Sequence, residues 1–149
     1  MHIADRVTQL PEYPFVTISR TIAAKKAQGI DVISFGIGDP DRETPGFILD
    51  ALDRGTRNTP NHRYPESEGL PEFRKSVTDW YERRFGVSLN PETEAISLIG
   101  AKEGIGHAAL AFLNPGDMAI MPDPAYPVYD VGTIFAGGVS YKVPMHEEA

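Results

Sequence analysis

The stretch Ala95-Ile96-Ser97-Leu98-Ile99-Gly100-Ala101-Lys102-Glu103-Gly104 decides the fold class. Ala95 to Ile99 is a short apolar run that reads as a buried strand. A glycine follows, and an apolar helix opens at once and runs through Leu113. Asn114-Pro115-Gly116-Asp117 is a turn, and Met118 to Met121 reads as another strand, closed by Pro122-Asp123-Pro124. Ala125 to Ala136 reads as a helix ended by Gly137-Gly138, and Val139 to Val143 as a last strand. Strand–helix alternation at this spacing predicts an α/β fold, with a mostly parallel sheet, right-handed crossovers and flanking helices.

Upstream, Pro11 and Pro14 bracket a short N-terminal arm, and Phe15, Ile18 and Ile22 mark one face of a helix that Gly29 ends. Val32 to Phe35 reads as a strand running into the turn Gly36-Ile37-Gly38-Asp39-Pro40-Asp41. Thr44-Pro45 reads as a cap and first residue of a helix that reaches about Gly55. Thr56 to Gly69 is a polar loop long enough to suspect a function. Leu70, Phe73, Val77, Trp80, Tyr81 and Phe85 then trace the apolar face of an amphipathic helix stopped near Gly86.

Composition narrows the function. The 149 residues suffice for one domain with a core. A net charge of -7 argues against a protein held to nucleic acid mainly through phosphates. There is no cysteine, so disulfides, thiolate nucleophiles and cysteine-ligated zinc are excluded. No apolar run approaches the ~18 residues of a membrane span. The first six residues lack the apolar core of a signal peptide, so a cytoplasmic location is expected. Phosphate-loop, dinucleotide-fingerprint and serine-hydrolase-elbow motifs are missing. The histidines His2, His62, His107 and His146 lie far apart, so no metal site is expected, and His107 reads as a packing residue.

Parallel sheets bind ligands at the carboxyl ends of their strands. Four features fall there or nearby. Gly100-Ala101-Lys102 aims helix-start N–H groups and an ammonium at one point, as for a phosphate; the alternative is a tight turn with a surface lysine. Tyr126, framed by Pro124 and Pro127, offers a ring to stack on a planar ligand, or else packs on its own helix. Tyr64, in the long loop, offers a phenol to a phosphate oxygen, or is merely a half-exposed loop residue. Gly36 and Gly38 allow close approach to the backbone, or form a simple turn. Together the four suit a planar phosphorylated cofactor, and pyridoxal 5′-phosphate is the candidate.

These residues also carry a resemblance. Phe35-Gly36-Ile37-Gly38-Asp39-Pro40-Asp41, His62-Arg63-Tyr64-Pro65, Arg84-Phe85-Gly86-Val87, Ile99-Gly100-Ala101-Lys102-Glu103-Gly104-Ile105, Leu113-Asn114-Pro115-Gly116-Asp117 and Pro122-Asp123-Pro124-Ala125-Tyr126-Pro127-Val128-Tyr129 resemble the N-terminal part of class I/II aminotransferases of the fold-type I pyridoxal-phosphate superfamily. Within it they look most like the LL-diaminopimelate aminotransferases of lysine biosynthesis.

The resemblance implies part of a cofactor-binding large domain over 36–149, with the arm, first helix and first strand of 1–35 belonging to a small domain. It implies that Ala101 and Lys102 hold the cofactor phosphate, that Tyr126 stacks on its ring and borders the substrate, and that Tyr64 reaches the phosphate of the other subunit of a homodimer. Lys102, Gly38 and Tyr13 would face an amino acid or 2-oxo acid substrate, Gly38 through its backbone at the α-carboxylate and Tyr13 by closing the pocket. Ala101 stands where relatives often carry serine, which removes one hydroxyl from the phosphate site. The lysine that binds the cofactor covalently is expected beyond Ala149, so no catalytic residue is assigned and the chain alone is expected to be inactive. Alternatives are an alanine- or aspartate-type aminotransferase, or a non-catalytic anion-binding domain of the same fold.

Overall fold

The computed structural model describes residues 2–147. In chain order its elements are α1 (Asp5–Thr8), α2 (Pro14–Ala27), α3 (Gly46–Arg57), a 3-10 turn (Thr59–Asn61), α4 (Pro71–Phe85), α5 (Ala101–Phe112), β1 (Met118–Asp123), α6 (Pro127–Phe135) and β2 (Val139–Pro144). They fall into two compact units, one formed by Met1–Gly38 with Ile99–Ala149, the other by Asp39–Leu98.

In the first unit β1 and β2 pair in parallel, from Met118 opposite Val139 to Asp123 opposite Pro144. The crossover between them is α6, as a parallel pair requires. Met121 of β1 and Thr133 of α6 are buried, and α6 packs on α5, β1 and β2. Small residues set the α5–α6 approach. A Cβ added at Gly132 would sit 3.4 Å from the Ala109 Cβ and 3.6 Å from the Gly106 Cα. An apolar groove of about 370 Å³ runs between α5, β1 and α6, lined by residues such as Phe112, Ile120 and Tyr129.

In the second unit α4 ends at Gly86, whose φ of 67° is a left-handed cap. Trp80 and Phe85 meet edge to face on α4, with centroids 5.2 Å apart. Arg74 lies on the apolar stripe yet is buried by contact rather than by greasiness. It donates from Nε to the Gly69 carbonyl at 3.2 Å and from a terminal nitrogen to the Pro91 carbonyl at 2.6 Å.

The predicted strands at Val32–Phe35 and Ala95–Ile99 do not form. A strand exists only in a hydrogen-bonded ladder, and neither segment pairs with another among the described residues. Phe35 and Ile99 are each 94 % exposed, so their apolar character finds no sheet here. The α/β class, the β1–α6–β2 crossover and the helices stand, around a two-stranded sheet. The helix predicted from Thr44-Pro45 begins at Gly46 with Pro45 as its cap, and the Thr44 side chain does not cap it. The helix predicted from Ala125 starts at Pro127, and α1 is an unexpected addition.

Candidate functional site

The start of α5 is tied back to the residue ahead of its N-cap, Gly100. The Glu103 carboxylate accepts the Ile99 N–H, and the N-cap glycine supplies no side-chain cap. Gly100 holds φ 84° and ψ 153°, a region nearly reserved for glycine, and nothing lies within 4 Å of where its Cβ would be. The Glu103 N–H reaches the Gly100 carbonyl at 3.2 Å. The N–H groups of Ala101 and Lys102 have no acceptor one turn back in the helix, so the opening keeps donors for an anion.

Lys102 lies in that first turn. Its ammonium sits 5.3 Å from the Tyr126 ring centroid and 5.8 Å from that of Tyr13. Both are within cation–π range. Both tyrosines stand at helix starts: Tyr13 caps α2 ahead of Pro14, and Tyr126 caps α6 ahead of Pro127. Each proline fixes the backbone beside its ring. Polar contact with the Tyr126 phenol, and secondarily with the Tyr13 phenol, holds the Lys102 pKa above the usual lysine value.

Beside this group lies a cleft of about 440 Å³ lined by Tyr13, Phe15, Ile37, Gly38 and Tyr126. A second cavity, of about 250 Å³, uses Tyr126 as a wall as well and is lined further by Glu12, Asp123, Asp130 and Lys142. There Asp130 accepts from the Ser140 hydroxyl at 2.6 Å and pairs with Lys142 at 3.0 Å. The Ser140 hydroxyl, ahead of Lys142, holds the Asp130 carboxyl below its ordinary pKa, and Asp130 in turn raises that of Lys142.

The structure thus brings Lys102, Tyr126, Tyr13 and Gly38 to one cleft region, with Ala101 adjoining Lys102. Tyr64 belongs to the other unit, where it is fully exposed. Phe15 and Ile37 line the cleft without having been singled out, although each adjoins a residue or turn that was. Glu103 gave no capping signal, because glycine rather than serine or threonine stands three residues ahead of it. The Asp130–Ser140–Lys142 cluster carried no sequence signal, because two elements must pack before it exists. Among the described residues no group of acidic and histidine side chains could hold a metal. No helix among them is long and apolar enough to cross a membrane. Open backbone donors, one ammonium and two aromatic faces form a donor set suited to a flat ligand with an anionic end.

Residues 30–149 match the model of the aminotransferase class I and II family. The chain belongs to that family. Enzymes of this family work with pyridoxal 5′-phosphate, which the donor set fits. The chain is 55 % identical over 148 residues to an LL-diaminopimelate aminotransferase of Dehalococcoides mccartyi, covering 99 % of this chain and 38 % of that one. It superposes on apo-BacF of Bacillus subtilis with a TM-score of 0.88 at 34 % identity, over 99 % of this chain and 38 % of BacF. The aspartate aminotransferase of Rhizobium meliloti gives a TM-score of 0.89 at 25 % identity, over 99 % of this chain and 36 % of that structure. The chain therefore spans well under half the length of the proteins it matches, and the fold it shares with them is the fold-type I architecture.

Proposed function

We propose that these residues are the cofactor-facing part of an aminotransferase that moves an amino group between an amino acid and a 2-oxo acid. The observation that carries the reading is the Lys102 ammonium over the Tyr13 and Tyr126 rings at the open start of α5. When bound, pyridoxal phosphate supplies an electron-withdrawing ring that eases loss of a substrate proton. The chain's own residues bind and orient. The Ala101 and Lys102 N–H groups and the Lys102 ammonium hold the phosphate. Tyr126 lies against the ring and borders the substrate. Gly38, where an added Cβ would meet nothing within 4 Å, leaves its backbone open to a substrate carboxylate. Tyr13 covers the cleft and excludes water, and Lys102 also borders the substrate. Tyr64 donates its phenol to the phosphate in the other subunit of a homodimer. The enzyme works in the cytoplasm, where free amino acids and 2-oxo acids are held.

Identity of 55 % to an LL-diaminopimelate aminotransferase, against 25 % to an aspartate aminotransferase, favours LL-diaminopimelate with 2-oxoglutarate, and so lysine biosynthesis. In the full-length protein, Lys102→Ala should weaken retention of pyridoxal phosphate, read by dialysis and absorbance. Unchanged affinity removes the assignment. Substrate profiling decides between readings: faster exchange with aspartate or alanine than with LL-diaminopimelate would favour the aspartate- or alanine-type enzyme.

A further inference from the structure

Tyr126 is the shared wall of two cavities. One is the cleft with Tyr13 and Gly38; the other holds Asp130 and Lys142 on its far side. The chain here makes a closed circuit. β1 ends at Asp123, three residues before Tyr126; α6 begins directly after Tyr126; and β2 returns to pair with β1. Pro124 and Pro127 stiffen the backbone on either side of Tyr126, so its ring moves with the first turn of α6. Asp130 lies one turn further along α6 and points at β2. Ser140 and Lys142 are two apart on β2 and so share a face. Both meet the Asp130 carboxylate, which is only 19 % exposed.

We propose that Asp130, held by Ser140 and Lys142, is a positioning residue that sets the pose of Tyr126 against the cofactor ring. The inference rests on the aminotransferase reading and deepens it. Ser140 supplies the shorter bond, at 2.6 Å, from a partly buried position. Lys142 is 49 % exposed, so its share of the clamp is the smaller.

The test uses the full-length protein and pyridoxal phosphate, with cofactor dissociation constants and the visible circular dichroism of the bound cofactor as readouts. Asp130→Ala should weaken binding about tenfold, as loss of a charge-assisted hydrogen bond does. It should also reduce the dichroic band per bound cofactor. Asp130→Asn keeps an oxygen for Ser140 and should stay within about threefold of wild type. Ser140→Ala, a milder change, should weaken binding about threefold and reduce the band if Asp130→Ala proves unable to fold. A lower melting temperature of the apo-protein with an unchanged band per bound cofactor marks a merely structural clamp and overturns the proposal. Equal impairment by Asp130→Asn and Asp130→Ala also overturns it. A wild type that binds no pyridoxal phosphate defeats the functional reading and this proposal with it. A wild type that binds, with Asp130→Ala and Ser140→Ala indistinguishable from it, defeats this proposal alone.

Discussion

Arg74→Met should open the turn-rich segment around Gly69, Pro91 and Ser97 in the second unit. The substitution keeps an apolar stem of similar length and removes the guanidinium. Two hydrogen bonds vanish, to the Gly69 carbonyl at 3.2 Å and to the Pro91 carbonyl at 2.6 Å. Bonds from a charged donor contribute about 1.5–3 kcal/mol each. Both carbonyls can recover water once the segment opens, so the lower end applies, about 3 kcal/mol for the pair. The ion pair to Glu92 adds little: it is 3.8 Å long and the glutamate side chain is 68 % exposed. The reporter is the Ser97 amide, which donates to the Glu68 carbonyl at 2.9 Å beside the pinned turn. Its hydrogen exchange, measured by mass spectrometry or nuclear magnetic resonance, should accelerate by roughly a hundredfold, the equivalent of about 3 kcal/mol. Glu92→Gln should change it by less than about fivefold. The reasoning fails if Arg74→Met leaves Ser97 within threefold of wild type, or if Glu92→Gln matches it.

Gly100→Ala should destabilise the start of α5 by about 1–3 kcal/mol, because φ 84° is strained for a residue with a Cβ. No atom beyond the chain neighbours lies within 4 Å of an L-Cβ there, so the cost is torsional; a D-alanine placed there by chemical synthesis, which favours positive φ, should restore the melting temperature, and failure to do so would refute the torsional account. Tyr126→Phe should lower the Lys102 pKa more than Tyr13→Phe does, in a titration followed by carbon-13 labelling of the lysine side chain. The raised pKa means that this contact contributes fully below the ordinary lysine value of 10.5 and is lost only as pH rises through the higher value. The reverse ranking of the two tyrosines would contradict the geometry. Asp130 has the opposite sign. Its lowered pKa means the clamp contributes above the ordinary value of 3.8 and is lost as pH falls through a value lower still. Asp130→Asn should therefore flatten the acid side of the stability profile, and an unchanged profile would deny the clamp a role there.

Helices were the legible part of this chain. The stripe from Leu70 to Phe85 has a period that only a helix satisfies, and Gly86 ends it where a left-handed residue is needed. Strands were less legible, because Val32–Phe35 and Ala95–Ile99 have strand-like composition but no ladder to join among the described residues. Of the site, Lys102 and Tyr126 could be picked out from glycine and proline punctuation at strand ends. Tyr13 could not: its approach to Lys102 joins residues far apart in sequence, and only the family resemblance pointed to it. Arg74 gave no such signal: Leu70 and Phe73 beside it are 55 % and 53 % exposed, and its burial depends on the Gly69 and Pro91 carbonyls, which only the folded turn brings to it.

Tyr13 and Tyr126 converge on one ammonium although 113 residues separate them along the chain. During synthesis the arm therefore leaves the ribosome long before its counterpart is made. At about 5–20 residues per second the interval is roughly 6–23 s. Through that wait α2, which has no buried residue, must remain a solvated nascent segment without a docking place. The Tyr13–Lys102–Tyr126 contact cannot form until Tyr126 has been made, and a chaperone that shields Tyr13 and Phe15 would act in this interval.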